Sequence, residues 1–282
     1  MDDLIRISVK KVSFKYPGGT QSLSNIDLQV RRGEFIGILG ANGSGKTTLL
    51  KVMDGLLKDC KGSVRLDGRE IRELAPKEIY RKVGLIFQNS DEQLFAPTVS
   101  EDVAFGPINM GFSGEEVALR VTQALKEVDM EGYGKRSIHH LSFGEKKRIC
   151  LAGLLAMGQE ILLLDEPTDG LDPMGEYRMM NLLMRLNKEK KITIVMATHR
   201  VDLVPLFLDR LYILSRGKVV RQGSPEDVFT TPDEMEEMRL RFPQIAELIY
   251  RLKHDDRLPF DKIPLTIGKA REEIVRLVGK CN

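Results

Sequence analysis

Along the chain, apolar and polar positions first alternate and then run together. Residues 4–16 and 22–30 alternate, with Ile5, Ile7 and Val9 on one register of the first stretch and Ile26, Leu28 and Val30 on one register of the second. A period of two predicts half-buried strands, and Pro17-Gly18-Gly19 between them predicts a turn. Residues 35–39, Phe-Ile-Gly-Ile-Leu, form a short continuous apolar run of the kind found in strands buried on both faces of a parallel sheet. Similar runs recur at 83–87, 161–164 and 192–197. Helical patterns lie between them. One begins at Ser113 with Glu116 three residues on, a capping box, and sets Val117, Val121, Ala124 and Val128 on one face. Others begin at Asp172-Pro173 and Ser224-Pro225, each an N-cap followed by proline at the first helical position. Strands alternating with helices define an α/β fold. The stretch from about 89 to 158 is mostly helical between two sheet strands, so a helical subdomain inserted into the α/β core is expected.

The character changes after about residue 230. Thr231-Pro232 and the charged run 233–241 read as a linker or an exposed helix. Ile245, Leu248, Ile249 and Leu252 then recur at helical spacing, a proline-containing stretch spans 258–265, and Ile267, Ala270, Ile274 and Leu277 predict a final amphipathic helix. Two apolar stripes can hardly hold a core of their own. This tail, 231–282, is expected to dock on the main domain, 1–230, or on another subunit.

Composition narrows the function classes. With 282 residues the chain has room for one sizeable core plus an appendage, or at most two domains. A net charge of +2 makes no case for nucleic acid as a partner. The three cysteines, Cys60, Cys150 and Cys281, lack metal-ligand spacing, and so sparse and odd a set suits a reducing compartment. The start, Met1-Asp2-Asp3, is acidic and unlike a signal peptide, and no apolar run approaches the roughly 20 residues of a membrane span. A cytosolic protein that meets membranes only through partners is expected.

The first chemical motif is Gly40-Ala41-Asn42-Gly43-Ser44-Gly45-Lys46-Thr47, followed by Thr48. It matches G-x-x-x-x-G-K-[ST] between a buried strand and a helix. The glycines let successive N–H groups wrap a phosphate chain, and the helix N-terminus adds partial positive charge. Lys46 is placed to reach the β- and γ-phosphates and Thr47 to hold Mg²⁺. By itself the motif leaves ATPase, GTPase and kinase open. The second motif is Ile161-Leu162-Leu163-Leu164-Asp165-Glu166-Pro167. Four apolar residues and then two acids fit a central strand ending at a nucleotide, with Asp165 on Mg²⁺ and Glu166 as the general base for the attacking water. The third is Leu141-Ser142-Phe143-Gly144-Glu145, before Lys146-Lys147-Arg148 and an apolar helix; alone, a serine N-cap and its helix account for it equally well.

Together the three motifs resemble the ATP-binding cassette (ABC) ATPases over residues 1 to about 230. The resemblance implies a P-loop NTPase core with an antiparallel β-subdomain, the inserted helical subdomain and, here, a small C-terminal helical extension. Leu141 to Glu145 is similar to the family signature LSGGQ, departing at Phe143 and Glu145. In the family the signature contacts the γ-phosphate bound by the opposite subunit, which implies that role for Ser142 and Gly144 and puts the acid of Glu145 near phosphates. Gln88 resembles the Q-loop glutamine that senses Mg²⁺ and the membrane partner, Tyr16 the aromatic residue stacked on adenine, Asp172 the D-loop aspartate, and His199 the switch histidine.

The segment after Gln88, from Asn89-Ser90-Asp91-Glu92-Gln93-Leu94-Phe95 to Ala104-Phe105-Gly106-Pro107, is similar to the ATPases of energy-coupling factor transporters, most closely the cobalt/nickel (CbiO) type. This implies ATP and Mg²⁺ as ligands and a second ABC ATPase subunit, the same or different. It implies also a transmembrane coupling protein, a membrane component that captures the substrate, and a place at the cytoplasmic face of the membrane. Asp91 and Glu92 are candidate acceptors for an arginine of the coupling protein. A soluble single-cassette ABC ATPase without a transport role is the alternative.

Overall fold

The computed structural model describes residues 4–280; Met1-Asp2-Asp3 and Cys281-Asn282 lie outside them. Two strands, β1 (Ile5–Lys15) and β2 (Gln21–Arg31), pair antiparallel across the predicted turn, followed by β3 (Phe35–Leu39) and α1 (Lys46–Met53). The chain continues through β4 (Lys61–Leu66), β5 (Arg69–Glu70), α2 (Pro76–Tyr80) and β6 (Val83–Ile86). Three helices follow, α3 (Val99–Met110), α4 (Gly114–Glu127) and α5 (Phe143–Met157), then β7 (Ile161–Asp165), α6 (Pro173–Lys190) and β8 (Thr193–Thr198). The last strands, β9 (Arg210–Ser215) and β10 (Lys218–Gly223), lie between α7 (Val204–Phe207) and α8 (Pro225–Val228), and the chain ends in α9 (Pro232–Glu237), α10 (Gln244–His254) and α11 (Ile267–Lys280).

The strands form a four-stranded sheet, β2-β1-β4-β5, and a six-stranded sheet, β10-β9-β3-β8-β7-β6, in which only β10 runs antiparallel to its neighbour. The apolar runs are explained by where alternate residues go. Ile36, Ile38, Ile161, Leu163, Val195 and Ala197 meet the small sheet and α1, whereas Phe35, Leu39, Leu162, Leu164, Ile194 and Met196 meet the helices on the other face. A strand covered on both faces has no use for a polar register, so alternation disappears. This α/β cassette, with its antiparallel sheet, central parallel sheet and helices inserted between β6 and β7, is the fold the motifs imply.

Two local expectations change. Ser113 caps α4 by accepting from the Glu116 amide, but the capping box is not closed: the Glu116 carboxylate pairs with Arg120 one turn on. The C-terminal stripes are also narrower than their spacing implies. Phe242, Ala246 and Leu265 join the large core, and Ile249, Phe260 and Ala270 form a small cluster of their own. Leu248 and Ile267 point outward, 50% and 76% exposed, as do Val275 and Val278. One helix on a flat support can bury only part of a stripe. The charged run near 233 includes a short helix with Met235 buried.

Candidate nucleotide site

The loop from Gly40 to Thr47 joins β3 to α1, with Gly45 as N-cap in the left-handed region at φ 107°. A side chain at Gly45 would meet the Ser22 carbonyl oxygen at 2.7 Å, and one at Gly40 would meet the Leu214 carbonyl oxygen at 2.4 Å. Both glycines are therefore required by close approach of backbone. The Ser44 hydroxyl is buried in this loop with no protein partner. The buried Lys46 ammonium folds back onto the Gly40 and Ala41 carbonyls, at 2.7 and 3.3 Å, and lies 3.3 Å from a Glu166 carboxylate oxygen.

Asp165 ends β7 at the sheet's C-terminal edge, where the Thr47 hydroxyl donates to it at 2.6 Å. Burial raises its carboxyl above the usual carboxylate range and the Glu166 charge adds to this, while the Thr47 hydrogen bond opposes it. Its second oxygen is buried without a partner. Glu166 takes a left-handed backbone, φ 47°, which costs a non-glycine residue about 1–3 kcal/mol. Its N–H is held by the Ala197 carbonyl of β8 at 3.0 Å, and its carbonyl accepts from the Asp169 amide at 3.1 Å and the Lys147 ammonium at 2.8 Å. His199, just past β8, brings Nδ1 within 3.0 Å of a Glu166 oxygen, a contact without good hydrogen-bond alignment.

A cavity of about 280 Å³ is lined by Asn42 to Thr48, Gln88, Asp165 and Glu166, with Ser22; Gly40 and His199 stand outside its wall. Gln88 donates to Asp169 at 2.9 Å, which holds the Asp169 carboxyl below its ordinary range. The Tyr16 ring is 37% exposed, and its hydroxyl bonds Thr48 Oγ1 at 3.1 Å, beside the cavity rather than in its wall. The Thr47 hydroxyl, the unpartnered Asp165 oxygen and the Gln88 amide oxygen, whose NH2 is committed to Asp169, offer all-oxygen ligands, which with waters suit a hard cation such as Mg²⁺.

Ser142, Gly144 and Glu145 are in none of this wall. They line a second cavity of about 530 Å³ with Gly170, Leu171 and Asp172. Ser142 caps α5 in a full capping box: the Glu145 amide donates to its hydroxyl, and its own N–H donates to the Glu145 carboxylate at 2.8 Å. That bond holds the Glu145 carboxyl below its ordinary range. The acid expected to confront phosphates is thus turned onto its own helix. Phe143 is accommodated as the first helical residue, its ring against Gly170, where an added Cβ would meet it at 2.8 Å. Asp172 caps α6 by accepting from Gly175. Asp91 is not free: Lys146 of α5 pairs with it at 2.6 Å. Glu92 is approached by Asn89 at 3.4 Å.

Sequence reasoning missed Lys147 and Asp169. Lys147 lies within a run of cations that reads as a solvated face, yet it is only 2% exposed. The available signal was its place in the helical series Phe143, Lys147, Cys150, Leu154, an otherwise apolar stripe.

Known proteins share the sequence and the fold of this chain. The family model described as ABC transporter matches residues 23–169. A putative ABC transporter ATP-binding protein of Geobacter sulfurreducens is 66% identical over 97% of this chain and 98% of its own. The energy-coupling factor transporter ATP-binding protein EcfA of Methanocaldococcus jannaschii is 46% identical over 98% of this chain and 99% of its own. The solved structure of CbiO1 from Clostridium perfringens, described as part of the ABC transporter complex CbiONQ, superposes with a TM-score of 0.76 at 38% identity, covering 88% of this chain and 99% of that one.

Proposed function

The chain belongs to the ABC transporter family of ATP-hydrolysing cassettes, and from that premise we propose that it is the EcfA-type motor of an energy-coupling factor importer for cobalt or nickel ions. One observation carries the mechanistic part: Lys46, Thr47, Asp165 and Glu166 share one cavity, while Ser142 and Gly144 line another. One chain therefore holds half a reaction site. Two chains related by a two-fold axis supply each nucleotide with a P-loop from one and a signature from the other.

When ATP enters, Lys46 exchanges its carbonyl partners for the β- and γ-phosphates, and the loop amides and Ser44 hydroxyl cradle the chain. Thr47, Asp165 and Gln88 would hold Mg²⁺, which neutralises phosphate charge when bound. Glu166 accepts the proton of the water that attacks the γ-phosphorus, the bond to the bridging oxygen breaks, and His199 steadies the γ-phosphate. The exposed face of Tyr16 offers adenine a stacking surface. Asp172 places the D-loop at the interface. Loss of the γ-phosphate removes the bridge between subunits and lets them part, which converts chemistry into a stroke.

The nucleotide-binding domain is 1–230 with its helical subdomain at about 89–158, and 231–282 is a docking or dimerising extension whose exposed Val275 and Val278 favour a covered state. Beside Asp91 and Glu92, the exposed rings of Phe95 and Phe105 pack edge to face at 4.7 Å, with Ile108 also exposed. A cationic, partly apolar helix of the coupling protein fits this surface, its arginine competing with Lys146 for Asp91. Among the described residues no helix is long and apolar enough to cross a membrane; in this proposal the coupling protein holds the motor at the cytoplasmic face.

The test is co-purification from native membranes, then reconstitution of the assembled complex with radioactive cobalt and nickel. Integral membrane partners and ATP-dependent uptake of either ion are expected. A chain that hydrolyses ATP but recovers no membrane protein would favour the soluble alternative. Asp91→Asn with Glu92→Gln should lose the partner while keeping basal hydrolysis; full assembly would remove these acids from docking.

A further inference from the structure

The signature helix carries a buried cation that the reaction scheme does not use. Lys147 is one turn after Phe143 in α5, 2% exposed, and among the largest fully buried side chains of the chain. Its ammonium donates to the backbone carbonyl of Glu166 at 2.8 Å and lies 5.0 Å from the centre of the Phe143 ring. Burying a cation is costly, and here it is offset by that hydrogen bond and by the nearby negative charge of Asp169 and Glu166. Burial still lowers the ammonium to about 8.

What this cation touches is the strained residue of the site. Glu166 is held in the left-handed region at φ 47°. Its N–H is fixed by Ala197 at 3.0 Å and one lone pair of its carbonyl by the Asp169 amide at 3.1 Å. Lys147 takes the other. With the peptide on each side of its Cα pinned, Glu166 has one backbone orientation, and its carboxylate lies between Lys46 and His199.

We infer that Lys147 is a positioning residue for ATP hydrolysis: by donating to the Glu166 carbonyl it holds the backbone turn that aims the Glu166 carboxylate at the attacking water. Lys147 is not part of the wall of the nucleotide cavity. It acts through Glu166, and it ties the base to the helix whose first turn carries Ser142 and Gly144. A shift of that turn on meeting the opposite subunit's nucleotide is passed to the base by one rigid contact. The inference rests on the reading of Glu166 as general base, and its test separates the two.

The experiment is a double-mutant cycle of K147M and E166Q, read by single-turnover hydrolysis and ATP affinity. Methionine fills the volume of lysine without the donor. K147M alone should lower the hydrolysis rate about 10- to 100-fold, the usual scale for a misplaced catalytic group, with ATP affinity within about threefold of wild type. In the E166Q background K147M should change the residual rate by less than about threefold, because a residue acting through Glu166 has nothing left to position. Equal losses in both backgrounds, or a matching loss of ATP affinity, would show a merely structural lysine and overturn the inference. A K147M rate within twofold of wild type would also overturn it. Wild-type hydrolysis by E166Q would instead remove the base assignment beneath it. K147R keeps donors near the carbonyl and should recover most of the K147M loss; a K147R protein that binds ATP but hydrolyses no faster than K147M counts against the inference. If K147M melts below the assay temperature, K147L replaces it in the cycle.

Discussion

The P-loop cavity and the signature cavity are built by the same chain on different terms. In the first, polar groups already meet one another: Thr47 bonds Asp165, Lys46 sits beside Glu166, and His199 touches Glu166 from the far side. Thr47 is exposed, but Lys46, Asp165 and Glu166 are buried and His199 half-buried at the edge of the parallel sheet, where a low local dielectric strengthens their contacts. In the second, Ser142 and Glu145 bond mainly to each other's backbone, so the helix end is stable with nothing in front of it. The first cavity is organised for chemistry before its ligand arrives, whereas the second is organised only to wait. Preorganisation by internal hydrogen bonds suits a site that must bind and cleave. Under the proposed two-chain arrangement, a self-capped helix end suits a surface that closes on a partner and reopens.

Mutations separate the two. The largest effect is expected from Glu166→Gln, which keeps shape and removes the proton acceptor. Turnover should fall on the order of 10²–10⁴-fold with ATP binding retained, measured by phosphate release and calorimetry; unchanged turnover would remove Glu166 from the role. Next comes Lys46→Ala, which deletes charge-assisted hydrogen bonds to phosphate and should weaken ATP binding by roughly 10- to 100-fold. Calorimetry showing wild-type affinity would break the picture of a preorganised first cavity. Ser142→Arg in the Glu166→Gln background probes the waiting cavity. ATP binding to the single chain should persist while ATP-driven dimerisation, followed by light scattering, is lost. Normal dimerisation would mean the signature does not meet the opposite nucleotide.

The smallest effect belongs to Glu145→Ala, which opens the capping box and should cost about 1 kcal/mol of stability. The sign of its pH dependence follows from the Ser142 amide holding the Glu145 carboxyl below 4.5. Its contribution is present above that value and lost as pH falls through the folded-state value. Thermal melts of wild type and Glu145→Ala should therefore converge in acid, and a constant gap between them would rule out the carboxylate as the cap.

Much of the first cavity was legible in the chain. A P-loop is a local object, glycines and a lysine in sequence between a strand and a helix, and the apolar run before Asp165 dictates a buried strand that delivers its acids to the sheet edge. Ser142 and Asp172 were legible as helix caps for the same reason, since a cap is settled within four residues. The second cavity was less so. Glu145 read as an acid facing phosphates because nothing local tells which of two acceptor tasks a carboxylate takes, and Asp91 read as an acceptor for a partner's arginine without its internal partner, because Lys146 is 55 residues away.

The sequence by itself determined the α/β cassette, the phosphate loop, the two acids after the buried strand and the helix ends, all of which depend on periodicities and caps a few residues long. Only the tertiary structure decided that Lys147 is buried against the Glu166 carbonyl rather than solvated, that Glu166 carries a strained backbone, and that Asp91 is already paired. These facts follow from contacts between segments distant along the chain, here α5 against the turn after β7 and the loop after β6. The free energy that fixes them is that of burial and charge pairing across the fold, which no local window of sequence contains.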